Sequence, residues 1–460
     1  MPLGLTYLSR LLRLAVAYKA KLLCSGVFVS KRDIQSLLTE DLGVDDLAPL
    51  KLLKTAIDPE EQTVIVSCLG RFQQSALYRP GLGGSLLIGA TSAQLRQQGQ
   101  PFTTWFLNRP RRHTSLPVAA ALPPTVDSTK LAKTLESAFT ESDPAKLKRT
   151  RAIVMVHQGQ IIAERYAPGF SSDTPMLGWS MTKSVINALI GILVHQGKLS
   201  LADRDLFPEW RQPEDRRRQI TLDHLLRMSS GLQFSEQYDS PLSDATTMLF
   251  QRGDAAAYAL QSPLIAPPDH EVHYASGTTI LLCRIMRQVI GGTLADYFAF
   301  PYQTLFDRLG MASAVLEPDA AGIFTGSSFM YATAQDWAKI GMLYLQDGYW
   351  QGEQILPSGW VKYSTTPNSN EPRYAAHFWL QPPFSFTSPH RSSSLWPQDA
   401  YLASGYQGQL LTVIPSHNLV VVRLGLAQRL HSWDHEQFIE QVIQAVRPIG
   451  EKAAPTSFKH

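Results

Sequence analysis

The sequence predicts an α+β fold in which one antiparallel sheet is assembled from two distant stretches of chain, with helices between and against them. Three observations carry this. Ala152–Val156 and Ile161–Tyr166 are apolar runs either side of Gln158-Gly159-Gln160, the pattern of a β-hairpin. Far along the chain, Gln409–Val413 and Asn418–Leu424 flank Pro415-Ser416-His417 and read as a second hairpin. Between the hairpins lie apolar stretches long enough for buried helices: Ser184–Gln196, stopped by Gly197, Gly277–Ile290, stopped by Gly291-Gly292, and Trp337–Tyr344. Phe438–Val446 adds a closing helix. Strands at both ends and helices between them make a single sheet with a helical insertion the simplest arrangement.

Composition narrows the function classes. The 460 residues are 44% hydrophobic and 18% charged, which is globular rather than disordered, collagenous or coiled-coil. A formal net charge of +3 gives no reason to expect a nucleic-acid partner. Cys24, Cys68 and Cys283 cannot form a disulfide framework, and their spacing fits no zinc site. Nothing repeats at a fixed period, so solenoids and propellers lose support. Three breaks are visible: Arg109–Pro124, rich in proline and arginine; the charged Glu141–Arg151; and Asn368–Pro397, dense in Pro, Ser, Asn and Arg, which reads as a surface loop or lid. The first divides residues 1–124, an extension without an assigned role, from residues 125–450, the body that carries the chemistry.

Residues 1–32 hold Arg10, Arg13, Lys19, Lys21, Lys31 and Arg32 and no acid. Bases interrupt this segment too often for a membrane-crossing helix. Residues 5–23 form a basic amphipathic pattern that suits peripheral contact with an anionic membrane, a targeting segment, or packing on the protein's own body. Cys24 lacks the small preceding residue of a lipid-modified cysteine, and no small-residue cleavage site follows an apolar core. Localisation stays open between periplasmic, membrane-associated and cytoplasmic, as does the oligomeric state.

The strongest local signal is Ser180-Met181-Thr182-Lys183 at the head of the first buried helix. Positions i and i+3 share a helix face, so hydroxyl and amine can meet. A lysine whose pKa is lowered by burial can take the serine proton, and the helix N-terminus favours an oxyanion. Tyr274-Ala275-Ser276 precedes the second helix; a tyrosine beside a cationic lysine has its phenolic proton loosened and can pass protons onward. The same triplet pattern at Tyr7 and Tyr238 shows how common it is, and Tyr238 lies in a stretch with no evident helix to position it. Gly405 and Tyr406, in Ala403-Ser404-Gly405-Tyr406-Gln407-Gly408-Gln409, mark a strand edge able to approach a ligand and supply a backbone N–H. Trp179, just before the serine, suits a pocket wall or the core equally. His270-Glu271-Val272-His273 is one residue short of a zinc-helix motif and sits in a proline-led loop, so no metal and no cofactor is expected.

Taken together, these motifs resemble the serine β-lactamase-related hydrolases of the class C type, which include D-alanyl-D-alanine carboxypeptidases, esterases and 6-aminohexanoate-dimer hydrolases. The resemblance runs from about Arg151 to Val446. It rests on Gly178-Trp179-Ser180-Met181-Thr182-Lys183-Ser184, the Ile220–Leu232 segment, Tyr274-Ala275-Ser276-Gly277, Leu309-Gly310-Met311, Met330–Tyr344, Ile355-Leu356-Pro357 and Trp360-Val361. It implies a β-lactamase/transpeptidase-like fold with a helical subdomain. By the same resemblance Ser180 is acylated, Lys183 accepts its proton, and Tyr274 shuttles the proton to the leaving group. The N–H groups of Ser180 and Tyr406 form the oxyanion hole, with Gly405, Ser276 and Trp179 lining the substrate site. Two departures tilt the expectation from lactamase towards esterase or amidase. Ala403-Ser404-Gly405 replaces the family's Lys-Thr-Gly or His-Thr-Gly, and Ser276 stands where lactamases of this type carry asparagine. The expected partner is a small ester, amide or peptide-like molecule. The alternatives are a β-lactamase or D,D-peptidase, or a non-catalytic ligand-binding relative.

Overall fold

In the computed structural model, residues 2–110, 113–383, 396–429 and 431–446 are described. Part of the expected Asn368–Pro397 loop, residues 384–395, therefore lies outside them.

The leucine-rich N-terminus forms helix α1, Pro2–Phe28, with proline at its first position, where a missing N–H costs nothing. It lies on an antiparallel meander of four strands, β1 Lys54–Asp58, β2 Thr63–Cys68, β3 Phe72–Arg79 and β4 Gly83–Leu86. The second half of α1 buries Val16, Ala17, Ala20, Leu23 and Cys24, and the small residues let helix and sheet approach. Of the three settings the sequence allowed for residues 5–23, packing on the protein's own body holds for this half. Two of its lysines are buried with it. Lys19 Nζ donates to the carbonyls of Leu50 at 2.9 Å and Leu53 at 2.8 Å. Lys21 pairs with Glu317, whose carboxylate also accepts from Ser25 Oγ and Gly84 N–H at 2.7 Å each. Among the described residues no helix is long and apolar enough to cross a membrane.

Helix α2, Ser92–Asn108, follows, capped by Thr91 and Gln94 reciprocally. After α3, Ser128–Phe139, the two predicted hairpins appear as β5 Thr150–His157 with β6 Gln160–Tyr166, and β8 Gln409–Ile414 with β9 Leu419–Gly425. A further strand, β7 Tyr401–Gly405, precedes the second pair. They form one five-stranded antiparallel sheet in the order β7-β8-β9-β5-β6. The seam between the chain's two halves is β9 against β5, with Leu419 opposite His157 and Val422 opposite Val154.

Strand alternation sends the two residue sets to opposite faces. Val154, Val156, Val420 and Val422 join the large central core, while Ile153, Met155, Leu419 and Val421 pack with Phe438, Ile439 and Val442 of the C-terminal helix. Each such side chain, fully buried, contributes about 1.5–3 kcal/mol. The central core contains α4 Thr182–His195 and α5 Ser276–Ile290. It also contains α6 Ala334–Leu345, which lies against β9; a Cβ at Gly341 would meet Val420 at 2.6 Å. The closing helix is α7, His435–Ala445. Helix α4 is buried from Thr182 to Leu193. Its one buried amide, Asn187, accepts from Trp360 Nε1, Tyr344 hydroxyl and Ser364 hydroxyl, so no polar group is stranded there.

Candidate active site

Ser180 sits where the chain turns into α4. Met176–Leu177 pairs with Met330–Ala332, then Trp179–Met181 tightens into a 3₁₀ turn. Trp179 holds φ at +48°, a left-handed conformation that a bulky residue keeps only when its surroundings impose it. Its ring is 4% exposed, stacked on Tyr18 at 6.4 Å, tilted on Phe329 at 5.8 Å and edge-on to Tyr406 at 5.5 Å. Trp179 is thus buried behind the serine. The preceding residue must be glycine, since a Cβ at Gly178 would lie 2.2 Å from the Trp337 ring.

One helical turn on, the buried Lys183 donates to Ser180 Oγ at 2.9 Å, Ser276 Oγ at 3.1 Å and the Ser327 carbonyl at 3.0 Å. Burial lowers its pKa to about 8, against an opposing pull from Glu236. A lysine so placed is neutral in a useful fraction of molecules near neutral pH. Tyr274 presents its ring to Lys183 Nζ at 4.8 Å and hydrogen-bonds the Ser180 side chain. Tyr374 and Trp379 pack against it at 5.7 and 5.6 Å. The loosened phenol expected from its lysine neighbour is not found. Burial, reinforced by the Glu236 charge, holds the Tyr274 hydroxyl well above the usual phenol range, and the Ser180 bond opposes this only in part. Tyr274 is a neutral phenol here.

The opposite wall is the end of β7. A Cβ at Gly405 would lie 2.1 Å from the Gly178 carbonyl oxygen, so only glycine allows the strand to lie against the turn that carries Ser180. Tyr406 follows directly, its ring edge-on to Trp179 and stacked on Tyr238 at 5.5 Å. The structure therefore gathers Ser180, Lys183, Tyr274, Ser276, Gly405 and Tyr406 in one place. His270 and His273 lie exposed on their loop, and among the described residues no group of three or more His, Cys, Asp or Glu could hold a metal ion.

Residues 146–443 match the profile of the Beta-lactamase family. The chain belongs to the β-lactamase family. A 6-aminohexanoate-dimer hydrolase of Paenarthrobacter ureafaciens is 24% identical over 233 residues, 48% of this chain and 58% of that relative's length. Among solved structures, a penicillin-binding protein homolog from Caulobacter crescentus aligns with TM-score 0.53 at 17% identity, covering 70% of this chain and 97% of that one. A family VIII carboxylesterase aligns with TM-score 0.53 at 14% identity, covering 71% and 98%. These likenesses establish the β-lactamase/transpeptidase-like fold.

Two polar members of this β-lactamase-family site escape a reading of sequence alone. Glu236 accepts from Ser276 N–H at 2.7 Å and Ser276 Oγ at 2.5 Å, and from the Tyr238 hydroxyl at 2.8 Å. That hydroxyl also lies 3.3 Å from Ser276 Oγ. Tyr238, set aside for want of a helix, is positioned instead by stacking on Tyr406 and by Glu236. No periodic signal marks either residue, because residues 233–239 belong to no helix or strand. A third addition is Tyr18, which reaches Trp179 from α1.

Proposed function

We propose that this β-lactamase-family protein is a serine hydrolase that cleaves an ester or amide bond of a small substrate through an acyl-enzyme on Ser180. The observation that carries it is the 2.9 Å bond between Ser180 Oγ and a buried Lys183 whose pKa is lowered to about 8. Neutral Lys183 takes the Ser180 proton as Oγ attacks the carbonyl carbon. The backbone N–H groups of Ser180 and Tyr406 face the oxyanion. Tyr274 gives its proton to the departing alcohol or amine, and Lys183 returns one to the tyrosinate, so the acyl-enzyme forms with both groups restored. Water then reverses the sequence, its proton leaving through the same pair. Ser276 and Glu236 hold the lysine, and Gly405 admits the strand. Residues 125–450 are the hydrolase domain in this reading, with 447–450 outside the described residues, and residues 1–124 are an extension packed upon it.

Ester and simple amide substrates are favoured over β-lactams and peptidoglycan peptides because Ala403, which stands at the place of the lysine or histidine of Lys-Thr-Gly or His-Thr-Gly, offers no cation to a substrate carboxylate. The test is intact-mass spectrometry after exposure to a fluorophosphonate, a p-nitrophenyl ester and a penicillin, on wild type and Ser180→Ala. A wild-type adduct absent from the variant is expected, with the ester or fluorophosphonate labelling fastest. A folded wild type that no reagent labels would overturn the hydrolase reading in favour of a ligand-binding relative.

A further inference from the structure

Helix α1 runs alongside β3 in the same direction. Arg13 lies over the Phe72 ring at 5.6 Å where β3 begins, and Phe28 stacks on Tyr78 at 5.5 Å near its end. The first turns of α1 therefore extend past β3 to the β2–β3 turn. Lys54 of β1 pairs with Ser67 of β2, so the residues just before β1 reach the same edge. What gathers there is apolar and unusually exposed: Leu52 is 85% exposed, Leu69 83%, Leu8 49% and Tyr7 44%. Beside them stand exposed Arg10, Arg13, Lys51, Lys54 and Arg71. The three contributing segments, residues 1–32, 47–57 and 62–79, contain no aspartate or glutamate.

The β2–β3 turn adds a second, independent feature. Arg71 N–H bonds the Cys68 carbonyl at 3.2 Å, and both residues between them are left-handed, Leu69 at φ +54° and Gly70 at φ +64°. Such a turn selects Asn, Asp or Gly at its first central position. A leucine there accepts backbone strain in order to hold an apolar side chain in water, which folding alone gives no reason to do.

We propose that this edge docks on an anionic lipid bilayer surface, with Leu52, Leu69 and the outer face of α1 entering the headgroup–acyl boundary and the five bases meeting lipid phosphates. The contact is peripheral, and it is independent of the hydrolase reading. It also differs from a helix lying flat on the membrane, because α1 beyond Arg13 is committed to its own sheet. A second copy is a poor occupant, since a two-fold contact through this edge would set like charges against one another.

The test is co-sedimentation of the full chain with vesicles of phosphatidylcholine alone and of phosphatidylcholine with phosphatidylglycerol. Three variants accompany it: Leu52→Asn with Leu69→Asn, Arg10→Gln with Arg13→Gln, and Ser180→Ala. Wild type and Ser180→Ala should pellet with the anionic vesicles only, and less as salt rises. The arginine pair should weaken partition about fivefold per charge removed. The leucine pair should abolish it while leaving the melting temperature equal or higher, because asparagine suits the left-handed position. Absence of wild-type binding, equal binding to both vesicle types, or unchanged binding by the leucine pair would overturn the proposal. So would self-association of wild type that the leucine pair abolishes, which would make the edge an interface between copies.

Discussion

Replacing Glu236 by glutamine tests the electrostatics of the site through a pH profile. Lys183 Nζ lies 3.1 Å from Ser276 Oγ, which lies 2.5 Å from Glu236 Oε1, so the two charges are at most roughly 5.6 Å apart. Coulomb's law gives about 3 kcal/mol at an effective dielectric near 20 and under about 1 kcal/mol in water. That is roughly half to two pK units. The sign follows from the order of the effects: burial pulls Lys183 down to about 8 and Glu236 pulls it up, so losing the carboxylate lowers it further. If neutral Lys183 is the base, kcat/KM for a p-nitrophenyl ester rises with pH through that pKa. Glu236→Gln should therefore move the rising limb to lower pH, even though the plateau falls because Ser276 is held less firmly. A limb that stays in place, or moves to higher pH, would refute the assignment of Lys183 as the titrating base beside Glu236.

Other consequences are equally direct. Gly405→Ala puts a Cβ 2.1 Å from a backbone oxygen that cannot yield, so fluorophosphonate labelling of Ser180 should slow by roughly a hundredfold or more; an unchanged rate would mean that β7 does not complete the site. Tyr18→Ala removes the ring stacked on Trp179 and should lower kcat roughly tenfold with little change in KM. Tyr18→Phe should restore kcat, and a loss confined to thermal stability would show the contact to be structural only. Lys21→Met leaves Glu317 buried without its cation and should cost about 3–5 kcal/mol in urea unfolding, much of it recovered by adding Glu317→Leu. Asp319 accepts N–H bonds from Ala255 and Ile323 at 2.9 Å each, yet burial raises its pKa to about 7. The folded state then holds a proton that the unfolded state has released, so this group's contribution to stability falls as pH rises from about 4 to 7. The stability advantage of wild type over Asp319→Asn should accordingly be larger at pH 5 than at pH 8.

What the sequence revealed and what it hid divide along the range of the interactions involved. Both hairpins of the main sheet were legible because alternation and turn residues are local, and α4 to within two residues because its apolar run ends at Gly197. Ser180 and Lys183 were legible as a pair because a helix alone brings i and i+3 together. The meander of β1–β4 went unassigned inside the extension, although Thr63-Val64-Ile65-Val66 is rich in strand-forming residues. The buried lysines of α1 were not legible at all: Lys21 meets Glu317, 296 positions away, and no periodicity encodes that partner.

The same reasoning explains why the base's environment was hidden while the base itself was not. Lys183 is tuned by a carboxylate from an irregular loop, and Trp179 is held left-handed by Tyr18 from α1, Phe329 and Tyr406. Each of these contacts spans a different pair of chain segments. The residues that perform a proton transfer lie close together because geometry demands it, whereas those that set its pKa act through space and can come from any part of the fold. The N-terminal extension thus meets the site through the aromatic contact of Tyr18 with Trp179, among others, while its far edge carries the exposed leucines. Both are joined by one continuous helix, α1, so docking that bent or shifted that helix would reach the turn before Ser180 through the Tyr18 ring. Fluorophosphonate labelling of wild type and Tyr18→Ala, each with and without anionic vesicles, separates the cases. A vesicle effect on rate that disappears in Tyr18→Ala would show mechanical coupling, and an identical ratio in both proteins would show that docking only places the enzyme.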